Sequence, residues 1–284
     1  MNIENDESWS LVIKPKTGLL EINFKELWRY RDLVLLFVRR DFVALYKQTI
    51  LGPLWFIIQP LLTTITFTII FNKVANISTN GIPPMVFYMS GLLMWNYFST
   101  CLTKTSNTFI TNANIFGKVY FPRLVVPISD TITNFISFGI QFGLFIVVLI
   151  VHYFLGYRFE PNLHLLLFPV LLLILAGLGL GFGIIFSSLT TKYRDLTFLI
   201  SFGVQLAMYA TPVIYPLSNI PQQYKSILWF NPMAPVIETF RFGLFGSGLF
   251  DWLHLGYAFV FMLITLFIGI ILFNKVEKNF MDVI

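Results

Sequence analysis

Six stretches of this chain, residues 51–71, 85–103, 124–154, 163–189, 196–215 and 253–273, are long and apolar enough to be read as membrane spans, since crossing the hydrocarbon layer takes about 20 such residues. No other feature limits the possible folds as much. In lipid every backbone polar group must be satisfied internally, which leaves helices as the structure for runs of this length. Of 284 residues, 56% are hydrophobic and 12% charged, about half the charge of an ordinary soluble domain. A soluble core could not hide that much apolar surface. The first fifty residues lack the charged-then-apolar pattern of a cleaved signal peptide, so the N-terminus is expected to start in the cytoplasm. The single cysteine, Cys101, has no partner for an intrachain disulfide and reads as helix packing.

An even number of spans puts both termini on one side, and cationic loops identify that side as cytoplasmic. Lys14, Lys16, Lys25, Arg29, Arg31, Arg39, Arg40 and Lys47 precede the first span. Lys118, Arg123, Lys192 and Arg194 fall in the second and fourth connections, and Lys275 and Lys278 in the tail, which makes fourteen of the nineteen Lys and Arg. The other side holds Lys73, Arg158, Lys225 and Arg241, with Lys104 at an edge. The net charge of +5 therefore reflects orientation and attraction to anionic headgroups. No nucleic-acid module accompanies it.

Residues 24–47 read as one amphipathic helix, with Phe24, Leu27, Val34, Val38, Phe42 and Leu45 on one face and Lys25, Arg29, Asp32, Arg39, Arg40 and Lys47 on the other. Such a helix is expected in the headgroup layer, apolar side down, as an anchor or a moving part. The connection between the fifth and sixth spans is broken at Asn231-Pro232 into two stretches, each too short to cross a bilayer. Short re-entrant or interfacial helices shielded by protein fit that pattern. Glu238 and Arg241, three apart, are placed to pair on one helix face, and a solvated local pair is favoured over an ion-selective role.

The run GLGLGFG, residues 177–183, lacks the Lys-Ser/Thr of a phosphate loop and sits mid-span. Gly177 with Gly181, and Gly179 with Gly183, instead allow close helix contact. No nucleotide, metal or other cofactor site is expected in this chain. His152, His164 and His254 lack zinc-enzyme spacing, and no carboxylate pair or nucleophile motif marks an active site. Asp130, near the end of the third span, is expected to be an interfacial carboxylate paired with a basic neighbour. The aromatic content is 18%. Phe67, Phe71, Tyr88, Trp95, Tyr97 and Phe98 on the first two spans could line a path for a long glycan, because ring faces stack on sugars while allowing sliding. Packing against lipid and neighbouring helices is enough to account for them and is favoured over the path on composition alone.

Three stretches in order, RRDFVALYKQTILGPLWFIIQPLL (39–62), NIFGKVYFPRLVVPIS (114–129) and YRDL, TPVIYPLSNIPQQY and NPMAPVIETFRFGLFG within 193–246, resemble the membrane subunit of ATP-binding-cassette exporters of bacterial surface polysaccharides. The O-antigen permease branch is the nearest match, with capsule and teichoic acid permeases as relatives. The resemblance implies an all-α integral membrane fold. It would have six transmembrane helices, an N-terminal interface helix and two short re-entrant periplasmic helices between spans five and six. The corresponding parts are a cytoplasmic segment over 1–22, the interface helix over 23–48 and a permease domain over 49–284. It further implies a homodimer in the bacterial inner membrane, both termini cytoplasmic, joined to two copies of a separate ATPase that bind the ATP and Mg. The cargo implied is a glycan on an undecaprenyl pyrophosphate carrier.

By position, Asn114, Ile115, Phe116, Gly117, Lys118, Tyr120, Phe121, Pro122 and Arg123 correspond to the contact with the ATPase. Phe116, Tyr120 and Phe121, taken as exposed, give this hairpin the aromatic-plus-basic character of a docking patch. Tyr224, Trp229, Phe230, Glu238 and Arg241 fall in the elements that correspond to the periplasmic gate. Arg29, Arg39, Arg40 and Lys47 are candidates for capturing the carrier pyrophosphate, since guanidinium donors match phosphate oxygens. Two other classes fit less well. A membrane enzyme acting on lipid-linked sugars would need catalytic groups in a large loop, and a proton-coupled secondary transporter would show several buried ionisable groups and repeated helices.

Overall fold

The computed structural model describes residues 24–47 and 50–283. The segment over 1–22, and the side chains of Phe24 and Leu45, lie outside the described residues. All the regular structure described is helical: α1 (Phe24–Arg29), α2 (Arg31–Lys47), α3 (Trp55–Phe67), α4 (Pro84–Ser106), α5 (Thr108–Thr111), α6 (Ala113–Phe116), α7 (Val125–Phe154), α8 (Phe168–Thr190), α9 (Leu196–Tyr209), α10 (Gln222–Trp229), α11 (Met233–Phe245) and α12 (Trp252–Val283).

Among the described residues, four helical runs are long and apolar enough to cross a membrane: Trp55–Val74, Val125–Phe154, Leu163–Thr190 and Trp252–Val276. The other two expected spans differ for separate reasons. Helix α4 has 23 residues, but it runs through the middle of the bundle and buries most of its side chains, including Ser90, Thr105 and Ser106. A helix that faces protein needs less hydropathy than one that faces lipid. Helix α9 has 14 residues, about 21 Å at the helical rise and short of the hydrocarbon thickness. The chain beyond it continues as an irregular stretch to Tyr215.

The first span begins at Trp55 after a tight turn in which Gly52 has φ +51°, a backbone state that suits glycine. Its last residues, Thr68–Val74, widen into a π-helix. Thr63, Thr64, Thr66 and Thr68 each donate to the carbonyl four residues back, which is how hydroxyls are accommodated in an apolar span.

Helix α8 lies between α4 and α12, and its glycines explain why it can. A Cβ on Gly179 or Gly183 would lie 2.6 Å from Cys101 Cβ or 2.5 Å from Thr105 Cβ, both on α4. On the other face, a Cβ on Gly181 would stand 3.0 Å from the backbone nitrogen of Leu266 on α12, and one on Gly177 would overlap Met262. The two interleaved glycine pairs thus serve two different neighbours, as small residues at helix interfaces do. Two apolar clusters result. The larger is centred on α4 with contributions from α7, α8, α11 and α12. The smaller lies past the C-terminal end of α4, where α2, the α5–α6 turns, the start of α7 and the far end of α12 meet.

Candidate functional site

The hairpin between α4 and α7 is built around the smaller cluster. Residues Phe109, Phe116, Phe121, Val125 and Val126 pack against Val34, Phe37 and Val38 of α2 and Phe273 of α12. Phe37 and Phe121 meet edge to face at 5.7 Å, Phe109 stacks on Phe273 at 4.7 Å, and the Arg123 guanidinium covers Phe116 at 5.5 Å. This corrects two expectations. Phe116 and Phe121 are 6% and 4% exposed, so they belong to the hairpin's interior and not to its surface. The apolar side of α2 is also spent on protein, because Val34, Phe37 and Val38 bury against the hairpin. The physical reason is common to both. A hairpin of two one-turn helices has no core of its own, and α2 supplies the missing wall.

What the hairpin presents outward is Asn114, Gly117, Lys118, Val119 and Tyr120, with Ile115 and Arg123 half-buried and Pro122 buried. Tyr120 is 53% exposed. On α2, Arg39 and Arg40 are exposed, as are Arg29 on α1 and Lys47 at the helix end. Arg40 Nε donates to Asp41 Oδ1 at 2.7 Å, and its guanidinium lies 4.6 Å from the centre of the Phe37 ring, so part of its charge is already engaged. Asp130 is half-buried, with Lys104, Asp41 and Arg40 as its charged neighbours.

At the other end of the bundle, α11 carries Glu238 and Arg241 into the larger cluster. The pair expected from their spacing is present, Arg241 Nη1 to Glu238 Oε1 at 3.8 Å, but both are only about 2% exposed. A solvated pair was expected, and burial is the correction. The cause is that neighbouring backbone satisfies the guanidinium. Arg241 donates to the carbonyls of Pro212 (2.5 Å), Val213 (2.7 Å) and Phe87 (3.2 Å) and to Ser90 Oγ (3.3 Å), while stacking 3.7 Å from the centre of the Phe87 ring. Glu238 Oε2 accepts from the Leu249 N–H at 3.1 Å. Gly91 makes this possible, since a Cβ there would lie 2.6 Å from Arg241 Nη2 and 2.8 Å from the Val213 carbonyl. Arg241 thereby joins α11, α4 and the stretch after α9 at a single point. Sequence reasoning named Glu238 and Arg241 but missed Ser90, Gly91 and the carbonyls of Pro212 and Val213. The small Ser90-Gly91 pair in an otherwise bulky run was the available signal.

The remaining gate candidates face outward: Tyr224 and Phe230 are exposed and Trp229 half-buried. The Trp229 ring stacks on His254 at 4.0 Å, and His254 Nδ1 lies 2.6 Å from Asp251 Oδ2. The Leu253 N–H, and then His254, hold the Asp251 carboxyl below the ordinary carboxylate range.

The six aromatics considered for a glycan path do not form one surface. Tyr88, Trp95, Tyr97 and Phe98 are buried in the larger cluster, with Phe67 and Phe71 half-buried against Tyr88. Tyr88 packs against Phe67, Phe71 and Phe87, with Arg241 of α11 beside it, so tertiary contacts cover the face of α4 that an isolated span would have exposed. Among the described residues no group of three His, Cys, Asp or Glu is placed to hold a metal ion.

Comparison with known proteins agrees with this architecture. A family profile described as ABC-2 type transporter matches residues 32–245. The O-antigen export system permease protein RfbA of Klebsiella pneumoniae is 31% identical over 254 residues, covering 89% of this chain and 95% of that one. RfbA of Myxococcus xanthus is 31% identical over 220 residues, 76% of this chain and 82% of its own length. The polysialic acid transport protein KpsM of Escherichia coli is 27% identical over 231 residues, 80% of this chain and 87% of its own length.

Proposed function

The chain belongs to the ABC-2 type transporter family, and from that premise we propose that it is the membrane subunit of an ATP-driven exporter of a lipid-linked surface polysaccharide of the O-antigen type. The observation that carries the reading is the similarity to an O-antigen export permease over most of the chain, and a hairpin with an exposed rim and a buried underside supports it. In this reading work enters from a second protein at the hairpin end. Lys118, Val119 and Tyr120 project from a turn whose underside is locked to α2, α7 and α12. A push on the rim is transmitted to three helices together.

In this reading α4 and α9 complete six spans with the four long apolar runs, and α10 and α11 form a re-entrant pair on the periplasmic side. The hairpin, both termini and the basic side of α1 and α2 face the cytoplasm, as the distribution of Lys and Arg requires. The interface helix precedes a permease domain that begins near residue 49. Two copies of the chain, in the inner membrane, meet two copies of an ATPase that binds the ATP and Mg, and the cargo is a glycan on a polyprenyl pyrophosphate. Arg29, Arg39, Arg40 and Lys47 form a basic edge near the headgroup layer where such a pyrophosphate would arrive. The similarity to the capsule-type relative KpsM supports the neighbouring alternative of capsule cargo on the same machinery.

Copurification tests the reading. The tagged chain, expressed with the products of its neighbouring genes, should retain an ATPase through detergent extraction and move a lipid-linked glycan across proteoliposomes only with hydrolysable ATP. Transport by the purified chain alone would overturn it.

A further inference from the structure

Between α3, α4 and α7 lies a cleft of about 430 Å³ that no role above uses. Its volume falls in the range of small-ligand sites, and its lining is unusual for the interior of a membrane bundle. Four carboxamides converge on it from three helices: Gln59 from α3, Asn96 from α4, and Asn134 and Gln141 from α7. Asn134 Nδ2 reaches Cys101 Sγ at 3.7 Å, a weak contact. The side chains of Gln59, Asn96 and Gln141 make no hydrogen bond among the described residues; for Gln59 and Asn96 the backbone carbonyls alone accept, from Thr63 and Ser99. Gln59 is exposed and Asn96 and Gln141 are half-buried, and carboxamides gathered on a cleft within a membrane bundle mark it as built for a polar occupant. A single cation, Lys104 on the last turn of α4, closes the end of the cleft nearest the hairpin. Asp130 is its acidic neighbour.

The chemistry divides along the cleft. Lys104 is a donor suited to phosphate oxygens. Asn96 stands two helical turns further along the same helix, about 12 Å away by the helical rise, with Gln141 and the Tyr97 ring lining the same cleft. Carboxamides, which donate and accept together, match vicinal hydroxyls. We infer that this intrasubunit cleft seats the sugar phosphate at the lipid-proximal end of the cargo, with Lys104 on the phosphate and Asn96, Gln141 and Gln59 on the first sugar. The inference rests on the export reading and adds a position at which the first sugar is recognised.

The test is direct binding to the full chain with its ATPase in nanodiscs. The probes are a short polyprenyl diphosphate carrying one N-acetylglucosamine, the same lipid without the sugar, phosphatidylglycerol, and inorganic phosphate as competitor. The sugar-bearing probe should bind about tenfold tighter than the bare lipid, and Asn96→Leu with Gln141→Leu should abolish that difference, as expected for lost hydrogen bonds to an oriented ligand. Lys104→Gln should weaken both lipids about tenfold, as loss of a charged hydrogen bond does, and Lys104→Arg should restore them. Each variant is scored only if it elutes as a single species with the ATPase bound, and Lys104→Met is read in place of Lys104→Gln if the latter does not. Equal binding of sugar-bearing and bare lipids, wild-type affinity in the Asn96→Leu/Gln141→Leu or Lys104→Gln variant, equal binding of phosphatidylglycerol, or displacement of the probe by inorganic phosphate at matching concentration would each overturn the assignment. A complex that binds as expected yet exports nothing would sink the export reading and leave the cleft standing. Normal export and binding in all variants would do the reverse.

Discussion

Arg241 shows how one side chain can carry a tertiary contact that no local pattern announces. Its guanidinium is fully enclosed, yet it has a carboxylate, three carbonyls, a hydroxyl and a ring face for partners. Burying a charge is tolerable when its donors are matched, and removing one partner of such a pair leaves the other charge exposed to the full desolvation cost. Arg241→Met is therefore expected to destabilise the solubilised protein by about 3–5 kcal/mol, and Arg241→Met with Glu238→Gln by clearly less, because no unpaired charge then remains. Thermal melts of the two variants in detergent, compared with wild type, check the order. Equal losses would show that Glu238 is not coupled to Arg241. Spacing alone had suggested a solvated pair, since two residues on one helix face do not reveal that Pro212, Val213 and Phe87 will surround them.

The hairpin with α2 is an element whose faces have opposite duties. Its inner aromatics hold it to the bundle, and its outer residues Lys118, Val119 and Tyr120 are exposed. Phe116→Ala should cost about 3–5 kcal/mol of stability, the usual range for truncating a buried Phe, and should lower the amount of folded protein. Tyr120→Ala and Lys118→Glu should leave melting unchanged while lowering ATP-driven export and retention of the ATPase in pull-downs. A Tyr120→Ala variant that melts early, or a Phe116→Ala variant with normal stability and impaired docking, would reverse this division. The turn residues Gly117 and Pro122 and the basic pair Lys118 and Arg123 made the hairpin legible in the sequence. Which of its three aromatics faced outward was not, because that depends on α2, some eighty residues earlier in the chain, arriving to cover Phe116 and Phe121.

At the scale of the whole molecule, the larger apolar cluster runs along α4 and takes in α11, while the smaller lies past the C-terminal end of α4 and holds the hairpin. In the export reading this separation lets force applied at one end reach the other through α4, α8 and α12, which the interleaved glycines hold in close contact. Orientation is checked with single cysteines placed at Lys118 and Arg158 in a Cys101→Ala background. A membrane-impermeant maleimide should label position 158 in intact spheroplasts and position 118 only after the membrane is opened; the opposite pattern would invert the topology. The sequence by itself determined the class of solvent, the helical content, the basic end and the glycine contacts, because hydropathy, charge bias and small-residue spacing are local properties of the chain. Only the tertiary structure decided that α4 is an interior helix, that Arg241 is sealed among carbonyls and that four carboxamides meet in one cleft. These facts arise where side chains far apart in sequence compete for the same volume and the same hydrogen bonds, and no local window contains both competitors.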